Sequence, residues 1–275
     1  MADVAPACPV CSTGSSAAPD TPLRPREKPM RFRALVDVRV GSASTGAGDA
    51  RVVTHDVRTE ASLRVAASED LSFTVTLPTL LRSIDSLGSE RNAVSLGDVD
   101  ARVAYSRSRG EGLVLTLGVK TPTAPIEHDA LHRVLSSELQ PGCSALTPYL
   151  GAMGAKSMGR WILRYGGSIV LPVSVREAPH PGDSIRGSTS AQYTLLKSLS
   201  VRAGVMTRFD LSGELRNGVD DPNSGGLVGY VTAGVSLSPS RSLNASFDVY
   251  LPALQILRGD HRESTVLALG LGYAF

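Results

Sequence analysis

The sequence of 275 residues lacks any run of about 18 consecutive apolar residues, which excludes a transmembrane helix. It contains only three cysteines, Cys8, Cys11 and Cys143, and this odd number leaves at least one thiol unpaired within the chain. The formal net charge of +2 is too small to indicate nucleic acid as a partner. Residues 1–7 lack the basic and apolar regions of a signal peptide, so we expect any export leader to lie outside this sequence.

The carboxyl-terminal residues alternate between large apolar and small side chains. From Leu267 to Phe275, every odd position is large and apolar or aromatic, whereas every even position is glycine or alanine. A period of two predicts a β-strand with one apolar face. The strand ends on an aromatic residue, a type found at the membrane–water interface of transmembrane β-barrels. This ending predicts the strand that closes such a barrel.

The same alternation recurs along the chain and predicts twelve strands. Residues 1–28 are rich in Pro, Ala, Ser and Thr, and we interpret them as a flexible periplasmic arm. The predicted strands are 30–40, 57–66, 71–77, 98–106, 113–120, 145–153, 161–171, 189–195, 201–209, 227–237, 243–251 and 267–275. Tight turns alternate with long loops between them, which is typical of outer-membrane barrels. We predict an all-β, antiparallel up-and-down transmembrane barrel over residues 29–275, with both termini on the short-turn side.

One face of these strands is apolar, and the other carries most of the charge. The alternative architecture, a soluble β-sandwich, would need a second apolar core set that the strands do not provide. In a barrel, the charged face lines the lumen. The predicted pore-lining residues are Arg31, Arg33, Asp37, Arg39, Arg64, Asp100, Arg102, Lys120, Arg164, Arg202, Arg208 and Asp248.

Basic side chains outnumber acidic ones in this set, so the lumen is expected to favour anions. The alternative is that arginines and carboxylates pair across strands and plug a narrow barrel. Inward-facing glycines such as Gly118 and Gly234 either thin the wall and keep a channel open, or relieve strand curvature. Both pairs of alternatives remain open from the residues alone.

Several short segments share one resemblance. Residues 96–98 (LGD) begin a strand, residues 117–123 (LGVKTPT) end one, and residues 140–144 (QPGCS) lead into another. In order and spacing they resemble the LGD, GLKLPTG and LGTGS motifs of the phenol meta-pathway (MetA-like) outer-membrane transporters, with Cys143 replacing the usual residue. Residues 231–275 resemble the family's three closing strands.

The amino-terminal Cys8-Pro9-Val10-Cys11 resembles the CPVC box of one branch of these barrels. The resemblance implies a location in the outer membrane of a Gram-negative bacterium, in contact with its lipid. It also implies insertion by the outer-membrane assembly machinery, which recognises the strand ending at Phe275. The implied function is passive transport of small solutes, for which we consider anionic or aromatic compounds.

Other readings of the chain remain open. Cys8 and Cys11 form a C-x-x-C pair that predicts a disulfide or a tether, and only a weak site for a soft metal. No cofactor is expected. If the cysteine-containing arm binds a periplasmic protein, the barrel is a non-conducting anchor. An outer-membrane enzyme is a minor alternative, because His55, His180 and His261 lie in or beside long loops, where they can cluster.

Overall fold

The computed structural model describes residues 32–46, 51–86, 89–107, 112–128, 134, 140–176, 178–215 and 217–275. No helix in these ranges is long and apolar enough to cross a membrane. The strands are β1 (Phe32–Thr45), β2 (Val52–Ala66), β3 (Leu71–Ser86), β4 (Ser89–Leu96), β5 (Val99–Arg107), β6 (Gly112–Thr121), β7 (Ala145–Met158), β8 (Trp161–Val170), β9 (Val173–Ser174), β10 (Ser184–Leu196), β11 (Leu199–Asp210), β12 (Gly226–Leu237), β13 (Leu243–Leu257), β14 (Arg262–Glu263) and β15 (Val266–Ala274).

The sheet closes on itself because β1 pairs antiparallel with both β2 and β15. Its fifteen strands occupy twelve positions in the ring, since three positions are each shared by two successive strands: β4 with β5, β8 with β9, and β14 with β15. At the seam, Val36 pairs with Leu271 on one side and with Ala61 on the other. The predicted twelve-stranded, up-and-down antiparallel barrel is confirmed.

The two faces of the wall differ as the alternation predicts. In β15, Leu267 and Leu269 are exposed, whereas Ala268 between them is buried. In β3, Val75 is exposed on the outside and Thr74 is buried on the inside. So continuous an apolar outer surface is unfavourable in water and matches the lipid-facing band of a transmembrane barrel.

The two rims differ in their connections. Residues 67–70, 159–160, 197–198 and 238–242 form tight turns at the short-turn rim. The described residues at the long-loop rim are 122–128, 140–144, 171–176, 178–183, 211–215, 217–225 and 258–265.

Aromatic rings mark the short-turn rim. Phe32 and Phe275 meet there, with backbone hydrogen bonds of 3.2 and 3.0 Å and ring centroids 5.8 Å apart. The rings of Trp161 and Tyr193 lie 4.8 Å apart at the same rim. Aromatic residues at this level suit a membrane–water interface.

The region predicted as a long loop at residues 78–97 is instead a hairpin, formed by the second half of β3 and by β4. Proline lacks an N–H, so Pro78 predicts the end of a strand. In the structure, Pro78 lies where the neighbours of β3 change from β5 to β4, and its carbonyl accepts a hydrogen bond from the N–H of Gly97 at 2.9 Å. Pro78 therefore lacks its N–H at a position where the hydrogen-bond ladder between β3 and its neighbours β4 and β5 is already interrupted. For this reason β3 continues beyond Pro78.

Several other predicted strands were also too short. β1 and β2 pair up to Thr45 and Val52, beyond the predicted limits at residues 40 and 57. β13 continues past Pro252 because a register shift there pairs Gly229 with Leu254 and Tyr230 with Pro252. A bulge of this kind accommodates a proline without ending the strand.

A charge on the outer face should impair barrel assembly, whereas the same charge one residue further along should not. Leu115 of β6 is exposed to the outside, and Thr116 faces the interior beside Gly151. We expect Leu115→Arg to destabilise the folded barrel by roughly 2–4 kcal/mol, the cost of arginine near the bilayer midplane. Thr116→Arg is the matched control. Equal urea unfolding midpoints for the two variants in lipid vesicles would contradict this facing assignment.

Candidate functional site: the charged barrel interior

The inward face of β1 and β2 carries a chain of ion pairs. Arg39 lies 2.6 Å from Asp37 and 3.5 Å from Glu60, and Glu60 in turn lies 2.8 Å from Arg58. The strand register explains the cluster, because Asp37 is directly opposite Glu60 and Arg39 is opposite Arg58. Like charges opposite one another are destabilising, so Asp37 and Arg58 find their counter-ions along their own strands, and Arg39 also reaches Glu60 diagonally.

Nearer the long-loop rim, a two-bond ion pair joins β2 to β3. Arg82 donates from Nε to Asp56 Oδ1 at 2.6 Å and from Nη2 to Oδ2 at 2.9 Å. Both side chains are buried. A planar guanidinium that contacts both carboxylate oxygens is a strong and directional interaction. This pair fixes the parts of β2 and β3 nearer the long-loop rim against each other.

A second two-bond ion pair joins β11 to β13. Arg202 donates from Nε to Asp248 Oδ1 at 2.5 Å, and its Nη2 contacts Oδ2. Gly234, on the intervening strand β12, makes room for this pair, because a Cβ at that position would lie 2.0 Å from Asp248 Oδ1. This glycine faces inward as predicted, and its missing side chain leaves space for the Asp248 carboxylate.

A third group of charges closes one part of the long-loop rim. Arg208 lies 2.5 Å from both Asp210 and Glu263, and the Tyr230 hydroxyl donates to Glu263. The Glu263 side chain is 0% exposed. Its position on the short strand β14, directed into the barrel, brings these groups together.

His261 joins the same group from the loop between β13 and β14. Its Nδ1 is hydrogen-bonded to Thr45 Oγ1 at 2.9 Å, and its Nε2 lies 3.7 Å from Glu263. Burial, together with the nearby positive charge of Arg208, lowers the pKa of His261 from its ordinary value of 6.5 to about 3. The imidazole is therefore neutral at physiological pH.

The Tyr149 side chain extends along the inner wall from β7, over β6, to β5. Its hydroxyl donates to Asp100 Oδ1 at 2.9 Å, and the ring covers Gly118 on the intervening strand β6. A Cβ on Gly118 would lie 2.3 Å from the ring. Neither expected explanation of the inward glycines applies to Gly118 or Gly234, because both make space for a neighbour that reaches across them.

The wall formed by β8 and β10 has a different character. Its inward side chains include Ser168 and Ser190, and Arg164 donates from Nη1 to Gln192 Oε1. The basic side chains of this wall are Arg164 and Arg186. No inward position on these two fully described strands carries a carboxylate.

The structure places most of the predicted pore-lining residues on inward positions of the wall. Arg31 lies outside the described residues. The inward residues are Arg33, Asp37, Arg39, Arg64, Asp100, Arg102, Lys120, Arg164, Arg202, Arg208 and Asp248.

Six interior charges were missed from the sequence: Asp56, Arg58, Glu60, Arg82, Arg186 and Glu263. Two of them, Arg58 and Glu60, share the even-numbered face of the predicted strand at 57–66, so the period of two could have identified them. The other four lie outside the predicted strands.

The LGD segment has a structural role in the fold. Asp98 lies between β4 and β5 and accepts hydrogen bonds from the N–H groups of Ala124, at 3.1 Å, and Cys143. Both donors belong to the loop that joins β6 to β7. Asp98 therefore fixes this loop over the barrel, and the QPGCS segment is its other half.

The remaining cysteine and histidine predictions concern metal binding and catalysis. Cys8 and Cys11 lie outside the described residues. Of the catalytic candidates, His55 faces outward and His261 is buried inside, whereas the Nδ1 of His180 is 3.0 Å from the carbonyl of Pro181. Among the described residues, no group of three metal-binding side chains is present.

No protein-family model matches the chain, and no curated protein matches it. Among solved structures, an outer membrane channel from Pseudomonas putida F1 has a TM-score of 0.71 at 12% identity, covering 93% of this chain and 99% of that one. The translocator domain of autotransporter NalP from Neisseria meningitidis has a TM-score of 0.56 at 10% identity, covering 90% of each chain. A deletion mutant of the TodX monoaromatic hydrocarbon channel has a TM-score of 0.50 at 10% identity, covering 95% of this chain and 94% of that one. This chain has the fold of outer-membrane β-barrels.

Adding a methyl group at Gly118 should destabilise the barrel because of Tyr149. We expect Gly118→Ala to lower the free energy of unfolding by about 1–3 kcal/mol, the usual cost of overpacking. Gly151→Ala is the control, since the nearest atoms to its added Cβ are 3.5 Å away. The same Gly118→Ala change in a Tyr149→Ala background should cost much less. An equal cost in both backgrounds, measured by urea unfolding, would exclude the Tyr149 ring as the cause.

The buried His261 should make the barrel sensitive to acid. Below pH 6.5 the unfolded chain binds a proton at this residue that the folded barrel does not, so stability falls as pH drops towards 3. At about pH 4.5, two units below 6.5, the loss is on the order of 3 kcal/mol, because one pKa unit corresponds to about 1.4 kcal/mol. Unfolding of His261→Gln should lack this part of the acid sensitivity, whereas the control His55→Gln should retain it. Identical pH profiles for His261→Gln and the unmodified chain would contradict this assignment.

Proposed function

We propose that this chain is an outer-membrane channel for the passive diffusion of small solutes. The observation that carries the proposal is a closed barrel whose outer face is apolar and whose inner face is polar and charged. A lumen of this kind suits a path for water-soluble molecules through lipid. The likeness of fold to the outer membrane channel from Pseudomonas putida F1 and the MetA-like sequence motifs support the same function. In this proposal the strand ending at Phe275 directs insertion by the outer-membrane assembly machinery.

Between anionic and aromatic solutes, the interior favours anions. Arg164 and Arg186 on the wall formed by β8 and β10 have no carboxylate beside them on inward positions of either strand. The inward tyrosines Tyr149 and Tyr230 donate their hydroxyls to carboxylates. Positive potential in a low-dielectric lumen raises the local concentration of anions.

One observation favours a second candidate function, a barrel that does not conduct and anchors a periplasmic protein through its cysteine-containing arm. The cluster of Arg208, Tyr230, His261 and Glu263 is buried and occupies part of the long-loop rim. Such a network narrows the interior, as expected for a small barrel with many paired charges. The two functions differ in what the arm at residues 1–28 contributes.

The channel function predicts steady conductance with anion preference. The folded chain is inserted into a planar bilayer, and a potassium chloride gradient gives the reversal potential. We expect the reversal potential to have the sign of the chloride equilibrium potential, because Arg164, which has no carboxylate partner, favours anions. Cation preference would exclude the anionic solute class, and a folded barrel without conductance would exclude the channel.

Deletion of residues 1–28 separates the two candidate functions. A channel formed by residues 29–275 should keep its single-channel conductance when the arm is absent, because strands between Phe32 and Ala274 close the ring. A matched Cys8→Ser/Cys11→Ser variant tests the cysteines alone. An anchor should instead show no conductance with or without the arm, and only the full chain should retain a periplasmic protein.

A further inference from the structure

Five of the described arginines in the interior have an acidic partner, and Arg164 does not. Arg39, Arg58, Arg82, Arg202 and Arg208 each lie within ion-pair distance of a carboxylate. None of the described carboxylates forms an ion pair with Arg164, which lies on β8. The charge of Arg164 is therefore not neutralised by a carboxylate, in contrast to the charges of these five arginines.

The immediate surroundings of Arg164 are polar but not acidic. Its Nη1 donates to Gln192 Oε1 on β10, and its Nε is buried and has no hydrogen-bond partner among the described residues. Directly opposite, across the β8–β10 ladder, is Ser190, and beyond Ser190 on β11 is Gly204. These small neighbours leave the guanidinium at the inner surface of the wall.

A second positive charge acts on the same place. The electrostatic interaction of Arg164 with another charged group is with Arg202, which repels it. Asp248 compensates Arg202 on the far side, towards β13. The positive potentials of Arg164 and Arg202 therefore add at this place on the wall. Of the two guanidinium groups, only that of Arg202 is neutralised by a carboxylate of the protein.

A guanidinium in the interior without a counter-ion attracts anions strongly, because desolvation of the charge is not offset by the protein. Its planar donors match the paired oxygens of a carboxylate or a phosphate. Gln192 holds the group in one orientation by accepting from Nη1. The buried Nε is left without an acceptor, and Nη2, which is neither buried nor hydrogen-bonded within the described residues, is the donor available to a ligand.

We propose that Arg164 is a binding site for an oxyanion within the lumen. The carboxylate or phosphate group of a solute binds there as it passes through the barrel. Gln192 is a positioning residue for the guanidinium, and Arg202 raises the local potential. As part of a transport path the site rests on the proposed channel function. As a binding site it does not require conduction.

The test measures anion binding and conduction separately, on the full folded chain. Isothermal titration in detergent gives the affinity for inorganic phosphate and for benzoate, and the same two anions are tested as blockers of chloride current in a planar bilayer. The variants are Arg164→Gln and the control Arg160→Gln, which removes the same charge from the exposed tight turn between β7 and β8. Folding is checked by the shift in gel migration on heating.

We expect Arg164→Gln to weaken binding and block roughly tenfold or more, the loss of one charge-assisted hydrogen bond, and Arg160→Gln to leave both unchanged. A response to benzoate alone identifies an organic carboxylate, and a response to phosphate alone identifies a phosphate group. Equal affinities in the two variants overturn the proposal. So does a chain that binds neither anion, even if it conducts.

The proposal and the channel function can fail independently. A barrel that binds benzoate through Arg164 but passes no current supports the site and excludes the channel. If Arg164→Gln does not fold, Arg164→Lys keeps the charge and removes the planar donors. Weaker binding by Arg164→Lys then supports the site, and unchanged affinity for both anions overturns it.

Discussion

The structure depends on one constraint, which is that backbone N–H and C=O groups in lipid must be hydrogen-bonded within the protein. A sheet satisfies this requirement only if its first and last strands pair. β1 meets that need by pairing with β15 over eight residues, from Arg33–Ala274 to Val40–Leu267. Closure in turn sets which side chains face lipid and which face the interior, because side chains alternate along every strand.

Closure with twelve positions also limits the space inside, and the interior charges are arranged accordingly. Long side chains cannot all project into a narrow lumen, so Arg202 and Tyr149 lie along the wall and cross a glycine on the intervening strand. Gly234 and Gly118 are therefore part of the charge arrangement. The same crowding explains why Asp37, Arg39, Arg58 and Glu60 form one continuous chain of contacts on adjacent strands.

The sequence was sufficient for the fold class, the number of ring positions and the facing of the strands, because a period of two encodes all three locally. It was insufficient where the local signal and the pairing disagree. Pro78 and Pro252 indicate strand ends, yet a break in the neighbouring ladder or a bulge accommodates each of them. The partners of the interior charges were equally hidden, since the contact between Arg208 and Glu263 joins residues 55 positions apart. Only the closed ring brings such residues together.

The distribution of charge around the ring is more informative than its total. The sequence gives a small excess of basic residues, spread over many strands, and this excess is compatible with either an open or a plugged barrel. In the structure, β1, β2, β3 and β11 carry arginines that form ion pairs with carboxylates, whereas the inward face of β8 and β10 has no carboxylate to offer. In the proposed channel, an anion would therefore meet neutralised arginines on one part of the wall and Arg164 on another. Because the Debye length is about 8 Å at physiological ionic strength, the nearest charge dominates, and the proposed path follows the wall where Arg164 lies.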